Sequence, residues 1–456
     1  MDSAVRTMRK GFQFSGRCLR ACPAFLIAVA SILFCEPSSS GAFAADGATA
    51  APTKQMPAVS AIADAGRKAQ IEAPKPAPAS RPAAAPQKVA GASGSPEGIV
   101  FSGGYELIAG VKAEMQRLLA EMNWTAGQVL PHESSDGKQI TYTLNSPPGD
   151  TSTLMLIARP ELGLAREAIA YRDRHGQEKT LSLVSQKEIL AAMMQRGRTF
   201  AFKGENCSVE KLKEQLALRH NIVYWGSRAD WVFPEDKIYR YNTGEFWQEM
   251  LGDDWTLKPG LRHSAAIADA FTGKFDYQIG CTSACRFIVA HGIFDYFVRV
   301  RPDPAAVARI EQTLDARCPF VQMTPTVDRD GTFRAEGLLV DRQFNVPSEH
   351  WVPGDWGWIK NPDAKSAEEL GSEGCNIIYA GGGYFVNYYP ERPPKTLDES
   401  IKRVYGWQFG IEEGDLQIAP DVAKQLRQDP RSGGMLRDVR DVPKLFGSSP
   451  AARPGA

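Results

Sequence analysis

The chain has 456 residues, enough for one large hydrophobic core or two ordinary ones, and its 43% hydrophobic and 23% charged residues are ordinary globular composition. Lys+Arg and Asp+Glu both number 53, so the net charge is zero. That balance excludes the basic excess that would steer a chain toward nucleic acid, and there is no acidic block of the kind that forms a tail.

At the N-terminus, Arg6, Arg9, Lys10, Arg17 and Arg20 precede an apolar run from Ala24 to Phe34, and the small-residue motif Ala42-Phe43-Ala44 follows. This order predicts an export signal over 1–44, cleaved after Ala44. Retention as an anchor is the alternative, and it is the one membrane contact expected. The expected location is therefore exported: periplasmic, in the cell envelope, or secreted. Bulky Phe34 before Cys35 argues against a lipidation site. Later apolar runs are too short to span a bilayer. Cleavage would leave five cysteines, Cys207, Cys281, Cys285, Cys318 and Cys375. Export permits disulfides, and an odd count leaves at least one thiol without a partner in the chain.

Residues 45–98 are rich in Ala, Pro, Gly, Ser and Lys, as in Pro74-Lys75-Pro76-Ala77-Pro78. Such a segment buries too little apolar surface to offset its ordering entropy, and it reads as a disordered spacer or pro-segment. From 99 to 204 an N-terminal α+β region of unknown type is expected. A helix is predicted over Val111–Met122, with Met115, Leu118, Leu119 and Met122 on one face. Ile140–Leu144 reads as a strand and Lys187–Met194 as a helix.

A catalytic domain is predicted over 205–425. It opens with a helix over Val209–Leu218, capped by Ser208. Trp225, Trp231, Phe233, Tyr239, Tyr241, Phe246, Trp247 and Trp255 then crowd together, either around a cleft or as pins for irregular loops. Ser264–Phe271 reads as a helix, and a longer one runs from Cys281 toward Phe297. Trp356–Ile359, Asn376–Ala380 and Tyr384–Tyr388 read as strands, the last two joined by the turn Gly381-Gly382-Gly383. The order of elements is α+β, a nucleophile at a helix N-terminus packed on an antiparallel sheet. After about 425 a flexible tail, 426–456, is expected.

Cys281 carries the strongest chemical signal. A thiol at a helix N-terminus meets unpaired backbone N–H groups and the positive end of the helix dipole, which favour the thiolate and can hold an oxyanion. Small Gly280, Thr282 and Ser283 leave room for a carbonyl. No histidine–cysteine cluster stands at metal-ligand spacing, so neither a metal nor another cofactor is expected. The base is less evident. His291 is ten residues along the same helix, about 15 Å away, and cannot touch Cys281. His350 and Glu373 are the candidates.

Three blocks then carry a resemblance. They are Leu257-Lys258-Pro259-Gly260 through Phe275-Asp276-Tyr277-Gln278-Ile279-Gly280-Cys281-Thr282-Ser283-Ala284, then Pro353-Gly354-Asp355-Trp356-Gly357-Trp358-Ile359-Lys360-Asn361-Pro362, and Glu373-Gly374-Cys375-Asn376-Ile377-Ile378-Tyr379-Ala380-Gly381. Over roughly 205–410 the chain resembles bacterial spore-coat-type protein-glutamine gamma-glutamyltransferases, cysteine transglutaminases with an NlpC/P60-like, papain-related core. The resemblance implies that Cys281 is the nucleophile and that partners are proteins carrying glutamine and lysine. The family's carboxylate before the cysteine is Gly280 here. Its second carboxylate matches Cys375, or Glu373 after a two-residue shift, and a family histidine matches Asn387. Glu373 is the first-choice base, with His350 second. Gly280, Cys375, Asn387 and Trp356 are expected to line the site, and the match at Cys375 raises a Cys281–Cys375 disulfide. A cell-wall cysteine peptidase or amidase and an inactive envelope module stand as alternatives.

Overall fold

The computed structural model describes residues 97–438 except 148, 235–244, 250–254, 274, 318–339, 370, 391–394, 412–417 and 430–434. The expected export signal, nearly all of the spacer, Cys18, Cys22, Cys35, Cys318, Tyr239 and Tyr241 lie outside the described residues.

The chain begins with β1 (Gly98–Ser102) and α1 (Tyr105–Glu121), then β2 (Val129–Glu133) and β3 (Gln139–Leu144). The hairpin β4 (Glu167–Arg172) and β5 (Glu178–Leu183) precedes α2 (Gln186–Met194) and β6 (Thr199–Lys203). A four-stranded sheet forms in the order β2-β3-β1-β6. Its central strand β1 is buried on both faces, which is why Ile99, Val100 and Phe101 form an unbroken apolar run rather than an alternating one. The β1–β6 pair is parallel, with Ile99 opposite Phe200, and every other pair in this sheet is antiparallel. Helix α2 is buried on every side from Glu188 to Met194, and the Ser185 hydroxyl accepts from Glu188 N at 3.3 Å.

Next come α3 (Val209–Gly226), the short hairpin β7 (Trp247–Glu249) and β8 (Trp255–Leu257), α4 (His263–Thr272), α5 (Cys281–Asp295) and α6 (Pro304–Arg317). Ser208 caps α3 as expected, accepting from Lys211 N at 3.2 Å. The helix runs two turns beyond the predicted Leu218. Polar residues in the added turns are buried and paired. Arg219 meets Asp355, and the Asn221 amide donates to the Gly292 carbonyl at 2.6 Å. Gly292 lets α3 and α5 cross closely, since a Cβ there would lie 2.8 Å from the Ile222 Cα. Beyond Asp295, α5 continues as a π-turn over Tyr296–Val300.

The last elements are β9 (Asp341–Phe344), β10 (Trp356–Lys360), β11 (Gly374–Gly381), β12 (Tyr384–Phe385), α7 (Leu397–Gly406), α8 (Pro420–Gln428) and β13 (Met435–Asp438). They build a wholly antiparallel five-stranded sheet ordered β12-β11-β10-β13-β9. Within the stretch read as a tail, Met435–Asp438 forms β13, which lies between β10 and β9. One cluster of buried apolar side chains runs from Ile99 to Tyr389.

Strand β11 separates two apolar layers. Ile378 and Ala380 face the main cluster with α3 and α5. Ile377 and Tyr379 face a second cluster with Trp351, Ile359 and the α7 residues Leu397, Ile401 and Val404. The β11–β12 turn uses three glycines with φ of +78°, +62° and +79° at 381, 382 and 383, a run that side chains rarely adopt. The architecture is α+β. Among the described residues no helix is long and apolar enough to cross a membrane.

Candidate active site around Cys281

Cys281 is the first residue of α5, and Gly280 is its extended N-cap. The approach to it is pinned on both sides. Val232 N donates to the Tyr277 carbonyl at 3.0 Å, and Ile279 N donates to the Val232 carbonyl at 3.2 Å. The Tyr389 hydroxyl donates to the Ile279 carbonyl at 2.7 Å. Farther back, Arg174 in the β4–β5 turn holds the same loop through the Phe275 carbonyl and Asp276, both at 2.7 Å. The thiol is thus presented half-buried from a fixed turn, while Ala284, Cys285, Phe287 and Ile288 behind it are fully buried.

The side chain that meets the thiol is Asn376. On a strand, alternate residues share a face, so Asn376 goes with Ile378 and Ala380 toward α5. Its Nδ2 lies 3.6 Å from Cys281 Sγ and donates to Thr282 Oγ1 at 2.9 Å. Its Oδ1 accepts from Trp356 Nε1 at 2.9 Å. An indole can only donate, so this bond fixes which end of the amide faces the thiol. Asn376 thus turns a donor, not an acceptor, toward the sulfur.

The backbone of Asn376 is held as well. The Tyr388 hydroxyl donates to its carbonyl, and Cys285 Sγ lies 3.9 Å from the same hydroxyl. Tyr388 is raised well above the usual phenol range, first by burial and then by neighbouring Cys285, Cys281, Tyr389 and Cys375. It remains a neutral donor. Trp231 N donates to the Tyr388 carbonyl at 3.1 Å, so the adjacent Tyr388 and Tyr389 tie β11 and the Cys281 turn to one another.

The other residues singled out from the sequence are placed differently. Gly280 and Trp356 belong to the arrangement just described. Glu373 is exposed, and its carboxylate accepts from Gly371 N at 2.9 Å within its own loop rather than meeting the thiol. His350 sits in a turn against Gly197 and Thr151, with Nε2 3.3 Å from Thr151 Oγ1. Burial, aided by Arg198, pulls it down to about 4. Neither expected base is brought to Cys281: one remains in its own loop and the other packs beneath β6. Cys375 alternates with Asn376 and packs against the second cluster, and its Sγ reaches the Asn376 carbonyl at 3.8 Å. Among the described residues no disulfide joins it to Cys281. Asn387 is half-buried beside Tyr388.

The tryptophans before the site are core rather than cleft. Trp225, Trp231 and Trp247 are at most 6% exposed, and Trp231 donates to the Ala270 carbonyl at 2.7 Å. His291 joins them, its ring 4.2 Å from that of Trp225 and 4.7 Å from that of Phe271. The Pro353–Pro362 block is scaffold for β10 and the following loop. Gly354 has φ +90° against the Arg219 backbone, Asp355 binds Arg219, and Asn361 donates to Ser366 and to the Ser372 carbonyl, both at 2.9 Å. Among the described residues no group of three His, Cys, Asp or Glu side chains is placed to hold a metal.

Asn376, Tyr388 and Tyr389 were not singled out by the sequence. The available signal was the alternation of β11, which puts Asn376 on the face of Ile378 and Ala380. A search of the curated proteins finds no match. Among solved structures, a transglutaminase from Geobacillus stearothermophilus (without C-terminal extension) is 20% identical, with a TM-score of 0.33 over 52% of this chain and 95% of that chain. The model of the family "TGL: Protein-glutamine gamma-glutamyltransferase" matches residues 168–390. That part of the chain, which holds Cys281, Trp356, Asn376, Tyr388 and Tyr389, is therefore a transglutaminase-family match within a longer protein.

Proposed function

We propose that Cys281 is the nucleophile of an exported protein-glutamine gamma-glutamyltransferase, acting on proteins that carry glutamine and lysine and built on a papain-like core of the NlpC/P60 kind. The observation that carries the reading is the half-buried Cys281 sulfur at the start of α5, 3.6 Å from the Asn376 amide, inside the matched span. The Cys281 thiolate attacks the carboxamide carbon of glutamine, and the carbonyl electrons move to oxygen. Backbone N–H groups of the first α5 turn and the Asn376 amide are the available donors for that oxyanion. When the carbonyl re-forms, the C–N bond breaks and the nitrogen takes a proton from water to leave as ammonia. A neutral lysine amine then attacks the thioester carbon and gives up a proton to the hydroxide left by the first step, the C–S bond breaks, and the thiolate returns with an isopeptide bond made. Water in place of the amine gives glutamate, so deamidation accompanies transfer wherever amine is scarce.

This reading assigns the thiolate to fixed dipoles rather than to a carboxylate or imidazole partner. The test incubates reduced protein with a glutamine-bearing protein and a labelled primary amine. Amine incorporation that disappears in Cys281→Ala is expected. Equal labelling by both proteins would overturn the assignment. Cleavage of peptidoglycan without amine incorporation would mark a cell-wall amidase instead.

A further inference from the structure

Asn376 presents two chemically opposite ends, and the donor end faces the sulfur. An amide reversed by half a turn would set its carbonyl oxygen toward Cys281 and repel negative charge there. Thr282 Oγ1 cannot decide between the two ends, because a hydroxyl both donates and accepts. The indole can decide. Trp356 Nε1 lies 2.9 Å from Asn376 Oδ1, and Trp356 is fully buried at the start of β10. Turning the amide would set the indole N–H against an NH2 group and break this hydrogen bond.

We infer that Trp356 is a positioning residue, whose indole N–H fixes the Asn376 amide with its NH2 group toward Cys281 Sγ. This rests on the reading of Cys281 as the nucleophile. Trp356 acts on the thiol through Asn376, the side chain its indole N–H meets. The position of Trp356 follows from the scaffold, since the preceding Asp355 is locked to Arg219 and to Val352 N at 2.7 Å.

The test measures alkylation of Cys281 by iodoacetamide in the full chain, followed by the mass of the peptide that contains it. This readout needs no glutamine or amine substrate, so it stands whether or not the protein transfers acyl groups. Trp356→Phe, with Trp356→Tyr as the alternative if the first does not fold, is expected to slow alkylation about tenfold at pH 7. The rate should converge with that of the parent protein as the pH is raised to about 10. Asn376→Leu should slow it at least as much. Adding Trp356→Phe to Asn376→Leu should change nothing further. Alkylation at the parent rate in folded Trp356→Phe overturns the inference. So does a deficit that persists at high pH, which would mark a merely structural role, or a full additional loss in the double variant.

Discussion

Asp355→Asn is the most incisive perturbation of the scaffold. Arg219 and Asp355 are 0% and 1% exposed, and their closest atoms are 2.5 Å apart. The Arg219 guanidinium also donates to the Pro353 carbonyl at 3.3 Å, while its Nε and Nη2 find no acceptor among the described residues. Such a cation depends heavily on its one anion. Removing the charge leaves a buried guanidinium unneutralised, for which the loss is about 3–5 kcal/mol. That is a large part of the ~5–15 kcal/mol that holds a domain folded. The assay is urea unfolding, read as the midpoint at unchanged slope. Arg219→Met in the Asp355→Asn background removes the stranded cation and should recover at least half of the loss. A single-variant loss below about 1 kcal/mol, or losses that merely add in the double variant, would refute the reasoning.

Buried His291 and half-buried His350 make the fold acid-labile in a defined window. His291, held by Trp225 and Phe271 and facing Asp295, Arg228 and Arg299, is drawn to about 4 chiefly by burial. His350 is also drawn to about 4. Unfolded histidine binds its proton near pH 6.5, so between about 6.5 and 4 the unfolded chain holds more protons than the folded one. Stability therefore falls as pH drops through that window, by about 1.4 kcal/mol per pH unit for each histidine. His291→Phe fits the same aromatic slot, and urea midpoints against pH should lose one histidine's share of the slope. An unchanged slope would contradict this. Gly357→Ala should disrupt the layer beneath β10, because a Cβ there would lie 2.3 Å from two ring atoms of Trp351. A loss of at least 1–3 kcal/mol, with altered near-ultraviolet circular dichroism, is expected, and a wild-type spectrum and midpoint would count against it.

Much of the scaffold was legible because local signals agreed with global packing. Ser208 announced the start of α3, and the glycines at 381–383 announced a turn that the structure confirms. The end of α3 was hidden because Arg219 and Asn221 look like surface residues until their partners, distant in sequence, are supplied. The surroundings of Cys281 were obscured by a different cause. Strand β11 is buried on both faces, so its apolar pattern gives no outward side, and Cys375 and Asn376 were equally eligible to face the cysteine. Only the sheet's position against α5 separates them. Glu373 was proposed from its chemistry and the resemblance, and His350 from its chemistry, and nothing in one dimension reports that the first is taken by its own loop and the second lies against Thr151.

The strand order of the large sheet also sets a timetable for synthesis. Cys281 leaves the ribosome well before Asn376, and the sheet that carries Asn376 includes β13 at Met435–Asp438. At about 5–20 residues per second, roughly 8–30 s separate the cysteine from the strand that completes that sheet. For the part of that interval before Asn376 emerges, the thiol exists without the amide that faces it. A chain stopped before β11 would expose a cysteine whose surroundings are not yet built.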